Sequence, residues 1–292
     1  MAETKKWGLV IDVTRCDGCG SCLLSVKDEY TGNDYPGYAA VQPKEGVNWL
    51  WLKEVEQGHG TKIKMDYIPV MFPHNRNFKL SDIPGAPEGS VYVRPDGLTV
   101  IDPVKAKGCK AIYEYFEKVA PGTVFWNEEL QLPQKCTMCA ELMDDPDYPG
   151  KEPRCVEACP NQALVYGDLD DPKSEISKLI KANKVTPLEG LGKMKTQVVH
   201  LNVPSRFLAG TVYYPAEEEE VVIGAKVKVT CDSCGKVYET ETNWAGDWEI
   251  ENLPKDELFT VEISFPGYKT VKYNKQSTKT DHYVGMTYLK KK

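Results

Sequence analysis

Seven of the ten cysteines fall into two groups whose spacing converges thiols on a point. Cys16, Cys19 and Cys22 form C-x2-C-x2-C. Cys136, Cys139, Cys155 and Cys159 form C-x2-C-x15-C-x3-C, with Pro160 directly after. Neighbours this close seldom shape a good disulfide. Zinc sites pair C-x2-C knuckles or add histidines. A third cysteine at x2 spacing and a trailing C-x3-C-P fit neither habit. A cubane of iron and sulfur does need such convergence, because each corner iron takes one thiolate. The spacing therefore predicts iron–sulfur chemistry.

The bacterial ferredoxin run is C-x2-C-x2-C-x3-C-P, and its last cysteine ligates the other cluster of a pair. Here the tail of that run stands at Cys155–Pro160. The pairing rule then gives one complete four-iron (4Fe-4S) site from Cys16, Cys19, Cys22 and Cys159. The second site takes Cys136, Cys139 and Cys155. Its fourth ligand is due four residues after Cys22, where Val26 stands and cannot bind iron. Three readings stay open for it: a three-iron (3Fe-4S) cluster, a four-iron cluster with a non-cysteine ligand such as Asp28 or water, or an empty site.

The other candidates carry less. Cys109 opens an expected helix through Phe116 and reads as a small packing residue. Cys231 and Cys234 form C-x2-C inside a strand-and-turn pattern with no second pair nearby. They read as a hairpin disulfide or two free thiols. His59, His74, His200 and His282 do not cluster in sequence and read as ordinary surface or core residues.

A chain of 292 residues suggests two domains. Residues 1–198 read as an α+β, ferredoxin-like cluster domain. A strand is expected over 7–13, leading into the first cysteine loop, and a helix over 21–29 after it. Four prolines between 66 and 90 argue against long elements there. Asp96-Gly97 marks a hairpin turn, and 174–182 reads as an amphipathic helix. Residues 204–292 read as an all-β sandwich, with short strands at regular spacing. The acidic run Glu217–Glu220 reads as a solvated loop.

Lysine and arginine total 36 against 43 aspartate and glutamate, a net charge of −7. No basic run precedes Lys290–Lys292, so nucleic acid is not an expected partner. No apolar stretch approaches the roughly 18 residues of a membrane span. The first residues show neither an apolar run nor twin arginines, so no export signal is expected and the predicted location is cytoplasmic.

Further segments narrow the reading: Val10–Val13, Tyr35–Tyr38, Ile101–Pro103, Lys105–Gly108, Trp126–Glu129 and Gln134–Ala140, then Ala209-Gly210, Gly224–Val227 and Thr240–Asn243. With the cysteine groups they resemble the iron–sulfur subunits that partner molybdopterin enzymes of the dimethyl sulfoxide reductase family. The narrower resemblance is to the iron–sulfur (beta) subunits of pyrogallol–phloroglucinol transhydroxylases, and it runs nearly end to end. It implies a regulatory or transthyretin-like type for the β-domain. It also implies a large catalytic partner carrying molybdenum or tungsten on molybdopterin guanine dinucleotide, and no catalytic residue on this chain.

That family carries up to four clusters in a row, the outer pair drawing on cysteines in 68–80 and 105–120. Here the first stretch has no cysteine and the second keeps only Cys109. The resemblance therefore implies a shortened electron path. Hydroxyl transfer between polyphenols needs no net electrons and tolerates that loss. Alternatives are an electron-transfer subunit of a reductive aromatic dehydroxylase or other oxidoreductase, and a purely structural subunit with a vestigial cluster.

Overall fold

In the computed structural model, which describes residues 5–188, 195–215 and 220–292, the chain opens with β1 (Trp7–Asp12), α1 (Ser21–Tyr30), β2 (Leu50–His59) and β3 (Lys62–Met71). It runs on through β4 (Val91–Val93), β5 (Thr99–Ile101), α2 (Lys110–Val119), β6 (Val124–Asn127) and β7 (Leu132–Lys135). Then come α3 (Ala140–Asp144), α4 (Arg154–Glu157), β8 (Leu164–Asp168), α5 (Glu175–Ala182) and β9 (Val198–Leu201). The remainder is all strand: β10 (Arg206–Tyr213), β11 (Lys226–Cys231), β12 (Val237–Glu241), β13 (Asp247–Leu253), β14 (Leu258–Ser264), β15 (Val271–Ser277) and β16 (His282–Tyr288). The chain divides into two compact units, Met1–Glu54 with Tyr67–Val203, and Val55–Asp66 with Pro204–Lys292. The tip of the β2–β3 hairpin thus belongs to the second unit. Residues 217–219 of the acidic run and the His59 side chain lie outside the described residues.

In the first unit β1 is the centre of a three-stranded sheet, antiparallel to β8 and parallel to β9. Leu9, Val10 and Ile11 are all buried, as a strand covered on both faces requires. The Asp12 carboxylate accepts the Thr14 N–H, ending the strand in a tight turn that delivers Cys16. Ser174 caps α5 by accepting the Ser177 N–H, and Ile176 is buried beneath it.

One expectation fails here. β3 runs unbroken through Pro69, where the prolines argued against a long element. β2 and β3 form a two-stranded ribbon, so each keeps an unpaired edge, and an edge tolerates a residue with no N–H to donate.

The second unit has a sheet in the order β13-β10-β16 and another in the order β12-β11-β14-β15. Leu208, Val212, Val227, Val229, Trp248, Ile250, Phe259, Val261 and Ile263 from the two sheets form one core. On β11 the exposed partners are Lys226 and Lys228, which is the alternation of a strand buried on one face. Gly210 makes room for Trp248, since a Cβ there would lie 2.8 Å from the indole nitrogen. β11 starts at Lys226, just after Gly224 turns the chain at φ +74°. Cys231 is buried at the end of β11 and Cys234 exposed in the next turn, both as free thiols.

Two buried histidines give the first unit a pH dependence. His200 sits against the Pro69 carbonyl (2.8 Å), and His74 accepts the Thr99 N–H at Nδ1. Burial pushes both below the ordinary 6.5, with Lys135 adding to the effect at His74. The unfolded chain then binds the extra protons first. Their contribution is complete above about pH 6.5 and is lost as the pH falls through the folded-state values. Thermal unfolding at pH 7.5 and 5.5 should show His200→Gln losing less stability than the parent on acidification. Equal losses would rule His200 out as a source.

Candidate iron–sulfur centre

The first cysteine loop is shaped by its own small residues. Gly18 and Gly20 adopt φ of +75° and +76°. A Cβ on Gly18 would strike the Tyr67 ring at 2.6 Å, so the loop can pass there only as glycine. The Asp17 carboxylate accepts the Cys19 N–H at 3.1 Å and sets the bend. Cys22 then falls on the first turn of α1. Cys16, Cys19, Cys22 and Cys159 line one small enclosed space, walled by Leu52, Pro160, Ala163 and Leu164. Cys19 is exposed and Cys16 and Cys159 are half-buried, so this site lies near the surface.

The second loop follows β7. Met138 and Cys139 both take left-handed backbone, at φ of +58° and +52°, which non-glycine residues adopt only where the surroundings hold them. Cys136 and Cys139 are brought within electrostatic range of Cys155, which α4 carries. Arg154 fastens α4 to α1 through Glu29 at 2.6 Å. All three thiols are buried. Val26 is buried on α1, one turn past Cys22, and Tyr30 continues the stripe another turn on. Asp28 is exposed, half a turn off that stripe, so the structure does not bring the acidic ligand considered from sequence to the site.

The residues present fit an iron–sulfur group. Burial pushes the Cys22 thiol up to about 12. It also raises Cys136, Cys139 and Cys155, with the neighbouring Glu141 charge adding at Cys139 and sister thiols adding at Cys155. Dry thiols crowded together resist ionisation unless a metal supplies the opposing charge. Backbone N–H groups already point at two sulfurs, Met138 N to Cys136 Sγ at 3.3 Å and Ala163 N to Cys159 Sγ at 3.2 Å. Donors placed this way favour the thiolate. Among the described residues no three His, Cys, Asp or Glu side chains close on the spacing of a single metal ion.

Several residues of this neighbourhood were not read from sequence. Lys135 is buried, donates from Nζ to the Thr99 and Cys136 carbonyls at 2.5 and 3.0 Å, and stands 4.4 Å from the Phe72 ring centre. Burial pushes it down to about 7, against the opposing pull of Cys136 and Glu141. Tyr30, Thr137 and Glu141 form a buried hydrogen-bonded group beside Cys139. The i, i+4, i+8 stripe of Cys22, Val26 and Tyr30 could have revealed Tyr30. Nothing in the sequence singled out Glu141.

The segments at 68–80 and 105–120 carry aromatic packing. Phe72 meets Phe116 edge-on at 5.1 Å, and Phe78 lies 5.6 Å from Phe116. Phe72, Phe78, Ile112 and Phe116 are all buried in the main core. Cys109 stands where α2 starts and packs half-buried against the same core.

The family described as the 4Fe-4S dicluster domain matches residues 79–169, which include the second cysteine group. The small subunit of pyrogallol hydroxytransferase from Pelobacter acidigallici is 32% identical over 272 residues, covering 90% of this chain and 92% of that relative. The chain belongs to this family of iron–sulfur subunits. Other iron–sulfur subunits resemble it over part of its length. A putative iron–sulfur subunit of dimethyl sulfoxide reductase from Halobacterium salinarum is 32% identical over 60% of this chain and 70% of its own length. The arsenate respiratory reductase iron–sulfur subunit from a Shewanella strain is 29% identical over 62% of this chain and 90% of its own length. Iron–sulfur clusters are the cofactor class of this subunit. No helix among the described residues is long and apolar enough to cross a membrane.

Proposed function

We propose that this iron–sulfur subunit holds a shortened pair of clusters beside a large molybdopterin-containing partner that moves hydroxyl groups between polyphenols without net redox change. Cys16, Cys19, Cys22 and Cys159 hold a four-iron cluster. Cys136, Cys139 and Cys155 hold a second, of three-iron type, where Val26 withholds the fourth thiolate. When bound, such clusters accept and return single electrons. The chain's own part is to bury the thiolates of the second site and to aim N–H donors at Cys136 and Cys159. The observation that carries the reading is the Phe72–Phe78–Phe116 packing in the segments that would feed an outer cluster pair. A chain with no onward clusters has no long route for exporting electrons, which suits a reaction with no electrons to export. Molybdenum or tungsten on molybdopterin guanine dinucleotide would reside in the partner.

Residues 204–292 act in assembly, as a sandwich of regulatory or transthyretin-like type. Deleting them should weaken partner binding in a pull-down, and unchanged binding would sink that role.

Anaerobic native mass spectrometry of the complex at natural abundance tests the main reading. The expected spectrum shows a heterodimer with a much larger subunit, and iron on this chain fitting one four-iron and one three-iron cluster. A lone chain, or zinc in place of iron, overturns it. The exposure of Cys19 supports a second reading, in which the first cluster passes electrons to a carrier docked at the surface for reductive dehydroxylation. That reading requires turnover to consume a reduced dye or ferredoxin in step with substrate.

A further inference from the structure

Tyr30 lies on the buried face of α1 with its hydroxyl between three groups. It is 3.5 Å from Cys139 Sγ, 2.7 Å from Thr137 Oγ1, and hydrogen-bonded to Glu141 Oε1. Thr137 Oγ1 is itself 3.2 Å from Glu141 Oε1 and accepts the Cys139 N–H at 3.1 Å. Two hydroxyl protons are therefore available to four acceptors: the Tyr30 oxygen, Thr137 Oγ1, Glu141 Oε1 and Cys139 Sγ. Among the arrangements that keep Glu141 Oε1 served, two differ in whether Cys139 Sγ receives a hydrogen bond. In one, Tyr30 donates to Glu141 and Thr137 donates to Tyr30. In the other, Tyr30 donates to Cys139 Sγ and Thr137 donates to Glu141. Both satisfy the buried carboxylate oxygen, so little separates them except the charge on sulfur.

We propose that Tyr30 is a switchable hydrogen-bond donor to the second cluster, turning its hydroxyl from Glu141 to Cys139 Sγ when that cluster is reduced. The proposal rests on Cys136, Cys139 and Cys155 holding a cluster. Reduction by one electron, from a low-potential donor such as dithionite, puts more negative charge on the thiolate sulfurs. Tyr30 then rotates its O–H toward Cys139, and Thr137 rotates toward the vacated Glu141 oxygen. No proton is taken up or released. A hydrogen bond made in the reduced state only stabilises that state and raises the potential, since bonds to the sulfurs are among the levers that set it. Tyr30 is thus a positioning residue for the electron level of the inner site.

Potentiometric titration of the whole complex, followed by electron paramagnetic resonance, tests this. Tyr30→Phe should lower the midpoint of the second cluster and leave the first unchanged. Thr137→Val should lower it less, because Tyr30 is then held by an otherwise unserved Glu141. Glu141→Gln should raise it, by removing the competing charge. A merely structural role would not give opposite signs within one hydrogen-bonded group. A second-cluster signal that is present but unmoved in Tyr30→Phe and Thr137→Val overturns the proposal. Should Tyr30→Phe fail to load iron, Thr137→Val and Glu141→Gln decide it by their signs. Absence of that signal and its iron in the parent complex overturns the cluster reading itself, and this proposal with it.

Discussion

Cysteine in place of Val26 should convert the inner site from three thiolates to four, with one more iron retained per chain. Val26 is 3% exposed on the face of α1 that also carries Cys22 and Tyr30, so a thiol there faces inward without moving the helix. The exchange removes one methyl and replaces the other with a thiol at a packed position, which costs on the order of 1 kcal/mol. That is small against the binding of a metal group to a folded site. The paramagnetic signal of an oxidised three-iron cluster should vanish in Val26→Cys, because an oxidised four-iron cluster is diamagnetic. Iron analysis and low-temperature electron paramagnetic resonance on the anaerobic complex read both changes. A parent complex with the four-iron count already, unchanged in the variant, would mean a non-cysteine ligand completes the site. That result would sink the three-iron reading while leaving the thiolate assignment intact.

The cluster region was legible because metal chemistry leaves a rigid sequence pattern. Three cysteines at x2 spacing and a trailing C-x3-C-P have few other uses, and the structure does gather Cys16, Cys19, Cys22 and Cys159 around one space. Val26 was legible for the same reason, as a gap at a fixed offset. The strands after residue 206 were legible through alternation, as at Val227 and Val229 against Lys226 and Lys228.

What escaped was set by distance in sequence. β3 was hidden because Pro69 argues against a strand, and only the ribbon's free edge removes the objection. Glu141 becomes notable only when Tyr30, 111 residues earlier, is folded against it. Lys135 reads as an ordinary charged residue until Phe72 and the Thr99 carbonyl surround it. Each needs long-range packing to acquire its environment, and no local pattern encodes that.

Phe116→Ala should be the most destabilising change outside the cysteines, and it should leave the iron content of folded complex unchanged. Phe116 is 1% exposed and stands among Phe72, Phe78 and Tyr115, with ring centres between 5.1 and 5.6 Å away. Truncating a phenylalanine in such a core costs about 3–5 kcal/mol, from lost burial and from the cavity left behind. The ring pairs add about 0.5–1.5 kcal/mol each beyond their area. For a unit of this size the melting temperature should fall by roughly 10 °C. The two readouts separate two roles for the aromatic block. If it is inert filling where an outer cluster pair is lacking, stability drops and the iron per folded chain holds. If those segments support an outer metal group through Cys109, iron falls together with stability. Differential scanning calorimetry beside iron analysis on the same preparation distinguishes them, and a parallel loss of iron would end the case for a shortened cluster chain.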